Sequence, residues 1–136
     1  MAALTDNRNT PRRGEAMLVG APVAASTVLY AGGMYVLDAT GAAKPAVAAD
    51  KKPVRAVSTR LTVPADETVP GERGVFRFDN STAAAAITRA DIGNNAFVAD
   101  DITVSKTGSC IAGEIIDVDN VGVWVHIGKA AVPTTA

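Results

Sequence analysis

Two β-rich runs, Ile-Ala-Gly-Glu-Ile-Ile-Asp-Val and Val-Gly-Val-Trp-Val-His-Ile, occupy residues 111–127 and are separated by Asp119-Asn120. That is strand, turn, strand, and it predicts a hairpin. Side chains alternate along a strand, so Val121, Val123, Val125 and Ile127 are expected on an aliphatic inner face and Gly122, Trp124 and His126 on the other. The outer face carries the only tryptophan and the only histidine of the chain. It is the first place to look for a partner.

Upstream, the pattern gives short strands rather than helices. Met17-Leu18-Val19 is followed by a break at Gly20–Pro22, then by Val23 and the run Thr27–Tyr30; Met34–Leu37 is closed by a turn at Asp38–Gly41. Ala42–Asp50 is alanine-rich, but Pro45 and the lack of an amphipathic stripe favour extended chain. Within Pro53–Val63, Ser58 marks a bulge or a change of face. Pro64–Gly74 reads as a loop with two prolines. In Gly74–Phe78 the weight of Phe76 and Phe78 puts those two inward. Thr82–Ile92 is the one short helix expected, with Thr88 and Asp91 as an approximate capping box and Gly93 as its stop. Ala96–Val98 and Ile102–Ser105 form a further hairpin across Asp100-Asp101. Tyr35-Val36 followed by Val54–Val57 faintly echoes Phe97-Val98 followed by Ile111–Ile115, which fits a barrel-like sheet made of two similar units.

The ends are different. Residues 1–14 set Arg8, Arg12 and Arg13 against one acid, Asp6, and no periodicity supports packing. They read as an extended arm: a frayed terminus, or a segment that orders on an acidic partner surface. Residues 15–128 form the barrel-like domain and 129–136 a short tail.

Composition narrows the function. The 136 residues suit one domain, and with 48% hydrophobic but only 4% aromatic residues the core must be aliphatic. A net charge of −1 argues against nucleic acid as a partner. No run is long enough to span a membrane, and the polar N-terminus lacks a secretory apolar core. Cys110, alone in the chain, is expected to be a buried thiol. With one histidine and no nucleophile motif, catalysis is not expected. Asp117–Gly122 opens like a calcium loop but has Val121 at the fifth position and Gly128 at the twelfth, so no metal or other cofactor is expected.

Ala3–Arg13, Gly74–Ser81, Ile87–Gly93 and Asp117–Val125 together resemble a family of tailed-phage capsid decoration, or cement, proteins of Mu-like and related phages. The resemblance implies an all-β domain, a small β-barrel or β-tulip with one short helix and an extended N-terminal arm. It implies a protein made in the bacterial cytoplasm that sits on the outer capsid surface of the virion as a homotrimer and clamps the major capsid protein. Arg8, Arg12, Arg13, Trp124 and His126 are then the expected partner-binding residues. A fibre or receptor-binding module on the same particle is the alternative.

Overall fold

The computed structural model describes residues 5–8 and 18–131. The described chain is all-β. The first five strands are β1 (Leu18–Pro22), β2 (Met34–Leu37), β3 (Ala43–Pro45), β4 (Ala56–Ser58) and β5 (Thr68–Glu72). They form one sheet in the order β1-β5-β4-β2-β3. The next five are β6 (Gly74–Asn80), β7 (Asn95–Val98), β8 (Thr103–Ser105), β9 (Ile111–Val118) and β10 (Val123–Ile127). They form a closed barrel in the order β10-β6-β8-β7-β9.

The two halves share one topology. Reading the barrel from β6 gives β6-β10-β9-β7-β8, which is the order of the first sheet with every strand advanced by five. The barrel closes through a parallel pairing of β6 with β8. In the first half the corresponding edges, β1 and β3, meet through a single parallel bridge from Val23 to Ala43, and the N–H of Ala24 donates to the Ala43 carbonyl at 3.0 Å. The echoed segments fall on corresponding strands, Tyr35-Val36 and Phe97-Val98 on β2 and β7, Ala56-Val57 and Ile111–Ile115 on β4 and β9, but out of phase: Tyr35 points into the core of its unit, whereas in the second unit it is Val98 and not Phe97 that does. The two units are two curled sheets rather than two hairpins of one barrel.

Packing follows the alternation. Val123, Val125 and Ile127 are fully buried in the barrel with Phe78, Val98, Val104 and Ile115, and Phe76 packs on the same cluster. Met34, Val36 and Val57 of the first sheet join that cluster, so one face of the sheet covers the barrel. Tyr35, Leu29, Val69, Ala21, Ala43 and Ala56 form a second cluster on the opposite face. Strand β2 is thus buried on both sides. Each β1-to-β2-type connection drops one aliphatic side chain into the adjoining core, Leu29 in the first unit and Ile87 in the second.

Several expectations need correcting. Thr82–Ile92 is not one helix but two single 3-10 turns, Ala83–Ala85 and Arg89–Asp91. The side chain of Asn80 accepts from the N–H of Ile87 and donates to its carbonyl, both at 2.8 Å, and so holds Ile87 extended between the turns. The Thr88–Asp91 pairing survives, with the Thr88 N–H donating to Asp91 Oδ2 at 2.8 Å. Thr68–Glu72, expected in a loop, is strand β5. Toward β4, strand β5 pairs through Gly71 and Glu72 alone; Pro70 falls just beyond that pairing, accepting from the Thr59 N–H at 3.2 Å, so its missing N–H is tolerated. Gly20–Pro22 is no break but part of β1, whereas Thr27–Tyr30 contributes only the bridge from Leu29 to Thr62. Ser58 ends β4 without a shift of register. The 129–136 tail begins fastened: the Lys129 carbonyl accepts from Glu114 at 2.9 Å, and the Ala131 N–H donates to Asn95 Oδ1 at 2.6 Å.

Gly71 is fixed by Tyr35. A Cβ at position 71 would run into the Tyr35 hydroxyl and lie 2.8 Å from the Ala56 Cβ. The hydroxyl itself has no hydrogen-bond partner among the described residues. Gly71→Ala is therefore expected to lose about 1–3 kcal/mol by overpacking. Tyr35→Phe should match or exceed the parent in stability, because it removes an unpaired buried polar atom; urea denaturation of both variants tests this.

Cys110 is fully buried and its thiol donates to the Lys52 carbonyl at 3.2 Å. Burial, reinforced by Asp50, pushes its pKa from 9.0 up to about 11. A raised folded pKa means that stability is complete below the unfolded value and is lost as pH rises toward the folded one. Melting temperature should fall across pH 9 to 11, and Cys110→Ala should flatten that fall.

Candidate functional site

The outer side of β10 is the most chemically distinctive surface of the barrel. In register, Trp124 lies between Arg77 of β6 and Asp117 of β9, and His126 lies between Val75 and Glu114. Both Trp124 and His126 are half-buried, outside the barrel core. Strand alternation therefore assigned them correctly.

Trp124 is held from two directions. Its indole N–H donates to Asp119 Oδ2 at 3.0 Å, and the Arg77 guanidinium stands 5.7 Å from its ring centroid. A cation over an indole near the surface is worth about 0.5–1 kcal/mol.

Asp119 organises the hairpin end. Its Oδ1 accepts the N–H groups of Val121 at 2.8 Å and Gly122 at 2.9 Å, and its own N–H donates to the Gly122 carbonyl at 3.0 Å. The turn consequently runs to Gly122, and Val121 is 63% exposed rather than on the inner face. The Trp124 N–H, followed by those of Val121 and Gly122, holds the Asp119 pKa below the usual aspartate value. Asp117 accepts from Arg89 at 3.0 Å and from the Val118 N–H at 2.8 Å. The acids that open like a calcium loop thus serve the turn and the outer face.

A bulge adds an apolar residue to this surface. Trp124 pairs with Asp117 but Val125 pairs with Ile115, so Ile116 is the extra residue and is turned outward, 39% exposed. With Val75 on β6, 45% exposed, it flanks the Trp124 and His126 stripe with aliphatic surface. The result is a ridge of aromatic and aliphatic groups set among charges.

The equivalent surface of the first unit has the opposite relief. There the outward pair across β1 and β5 is Gly20 and Pro70, and the strands floor a groove of about 650 Å³ bounded by Leu18, Thr59, Arg60, Asp66 and Thr68. Leu18 is 77% exposed at its wall. Arg60 and Asp66 form a loose pair at 4.0 Å.

Of the predicted arm residues, Arg8 is exposed, while Arg12 and Arg13 lie outside the described residues. The structure brings Trp124 and His126 together on one strand. Arg77, Ile116 and Asp119 were not singled out for this face in the sequence. The Phe76/Phe78 parity does place Arg77 outward, but its position opposite Trp124 depends on register, and Ile116 depends on the bulge.

Acid titration offers a direct check of this geometry. A lowered folded pKa means that the contribution of Asp119 is present above the unfolded value and is lost as pH falls through the folded one. Fluorescence of the single tryptophan should change with a midpoint below 3.8, and Asp119→Asn should remove the transition.

Among the described residues no helix is long and apolar enough to cross a membrane, and no group of three or more His, Cys, Asp or Glu side chains is placed to hold a metal ion. The chain matches no family model, no curated protein and no solved structure.

Proposed function

We propose that this protein is a structural component of a tailed-phage virion, binding the outer capsid surface as a homotrimer and tying neighbouring major capsid subunits together. The observation that carries this reading is the Trp124 ridge. It is a rigidly held indole with exposed Val75 and Ile116 beside it and paired charges around it, the composition of an interaction anchor rather than of a catalytic centre. The resemblance of the Gly74–Ser81 and Asp117–Val125 segments to decoration proteins covers the same strands. A ridge and a groove on different units of one chain also suit head-to-tail contacts between copies, which close into rings when the rotation allows. Repetition over a shell turns weak single contacts into strong retention.

Co-sedimentation with shells of the major capsid protein tests the proposal. Saturable binding at a fixed, high ratio to the shell subunit is expected; failure to bind, or occupancy by only a few copies per particle, would overturn it. Trp124→Ala should weaken retention at least tenfold, about 1.4 kcal/mol or more, with an unchanged far-ultraviolet dichroism spectrum. Deleting residues 2–13, which removes Arg8, Arg12 and Arg13, should leave the melting temperature unchanged and weaken retention most at low salt, because exposed ion pairs are screened as salt rises.

A further inference from the structure

Where β5 runs into β6, two cationic residues, Arg73 and Lys129, line a recess with no carboxylate in its walls. Arg73 lies between those strands, half-buried, and its Nε–H donates to the Arg55 carbonyl at 2.9 Å. Its stem lies against Gly128, where a Cβ would come within 2.6 Å of the Arg73 Cδ. Beside it is a recess of about 180 Å³, walled by Pro53 and Val54 on one side and by Gly113 and Gly128 on the other, into which Arg73 and Lys129 are the only charged residues to face. At roughly 30 Å³ per water, that is space for an ion and a few waters.

None of Arg55, Arg73 and Lys129 forms an ion pair among the described residues, whose four salt bridges involve other cations. The Arg55 Nε is buried with no acceptor. Glu72, next to Arg73 in sequence, and Glu114, which gives its N–H to the Lys129 carbonyl, do not line the recess. Arg55 and Arg73 are also the two charges that pull against burial at the Tyr35 hydroxyl, so the positive potential extends into the first unit. Two cations without an ion pair, at a recess whose walls hold no carboxylate, call for an anion.

We propose that this recess binds one small oxyanion, of the class of inorganic phosphate or a carboxylate, held by the guanidinium of Arg73 together with Lys129. Guanidinium groups bind such oxygens through paired N–H donors. The ligand ties the β5–β6 crossover to the end of the barrel and so stabilises the folded chain by mass action.

The test is amide NMR and thermal melting of the full chain, titrated with inorganic phosphate and separately with acetate, against chloride at matched ionic strength. Saturable shifts confined to Val54, Arg73, Gly113, Gly128 and Lys129, with a melting temperature that rises to a plateau, are expected. A response to phosphate alone assigns a phosphate ligand, and a response to both admits a carboxylate. Phosphate also stabilises proteins by exclusion from their surface, without saturation. Arg73→Gln should weaken binding at least tenfold and Lys129→Ala about threefold. Because Arg73 also holds the Arg55 carbonyl, Lys129→Ala decides the matter if Arg73→Gln fails to fold. Shifts that do not saturate, that spread equally to Arg60 and Arg89, or that persist unchanged in Lys129→Ala mean an adventitious ion only and overturn the site.

Discussion

The backbone groups at the two edges of a five-stranded sheet have to find partners, and the two halves of this chain meet that requirement to different degrees. In the second half, β6 and β8 pair in parallel and no edge remains. In the first, the same two positions touch only from Val23 to Ala43, leaving most of β1 at an edge. Full closure gives the second half a sealed aliphatic interior. The first half compensates by laying Met34, Val36 and Val57 against the barrel and filling its other face with Tyr35.

That asymmetry explains the different surfaces. In the closed barrel the inner positions of β10 are all committed to Val123, Val125 and Ile127, so the outer positions are free to carry Trp124 and His126 without cost to the core. In the first unit β5 must pass the ring of Tyr35, which demands Gly71 on its inner side. Its outer side presents Pro70 opposite Gly20. One topology therefore yields a ridge in one place and a groove in another, and both belong to the surfaces proposed to meet other subunits.

The junction between the units is polar where the rest is apolar. Arg73 ends the first sheet and opens the barrel, and its contact with the Arg55 carbonyl holds the crossover.

Much of this was legible in the chain. Alternation alone placed Val123, Val125 and Ile127 inside and Trp124 and His126 outside, since a strand offers side chains only two directions. Asp38, Asp100 and Asp119 announced their turns because an aspartate beside its own backbone bonds it whatever the fold. The strand at Thr68–Glu72 was not legible, since Pro70 and Gly71 speak for a loop until Tyr35 supplies the reason for a glycine there. Nor was the broken helix at Thr82–Ile92, where Asn80 captures both backbone groups of Ile87 from outside the segment. The sequence by itself determined what nearest neighbours decide: which face a side chain takes and where a turn falls. Register, the bulge that exposes Ile116, closure of one sheet and not the other, and the meeting of Arg73 with Arg55 were decided only by the tertiary structure, because each depends on residues far apart in the chain competing for the same hydrogen bond or the same volume.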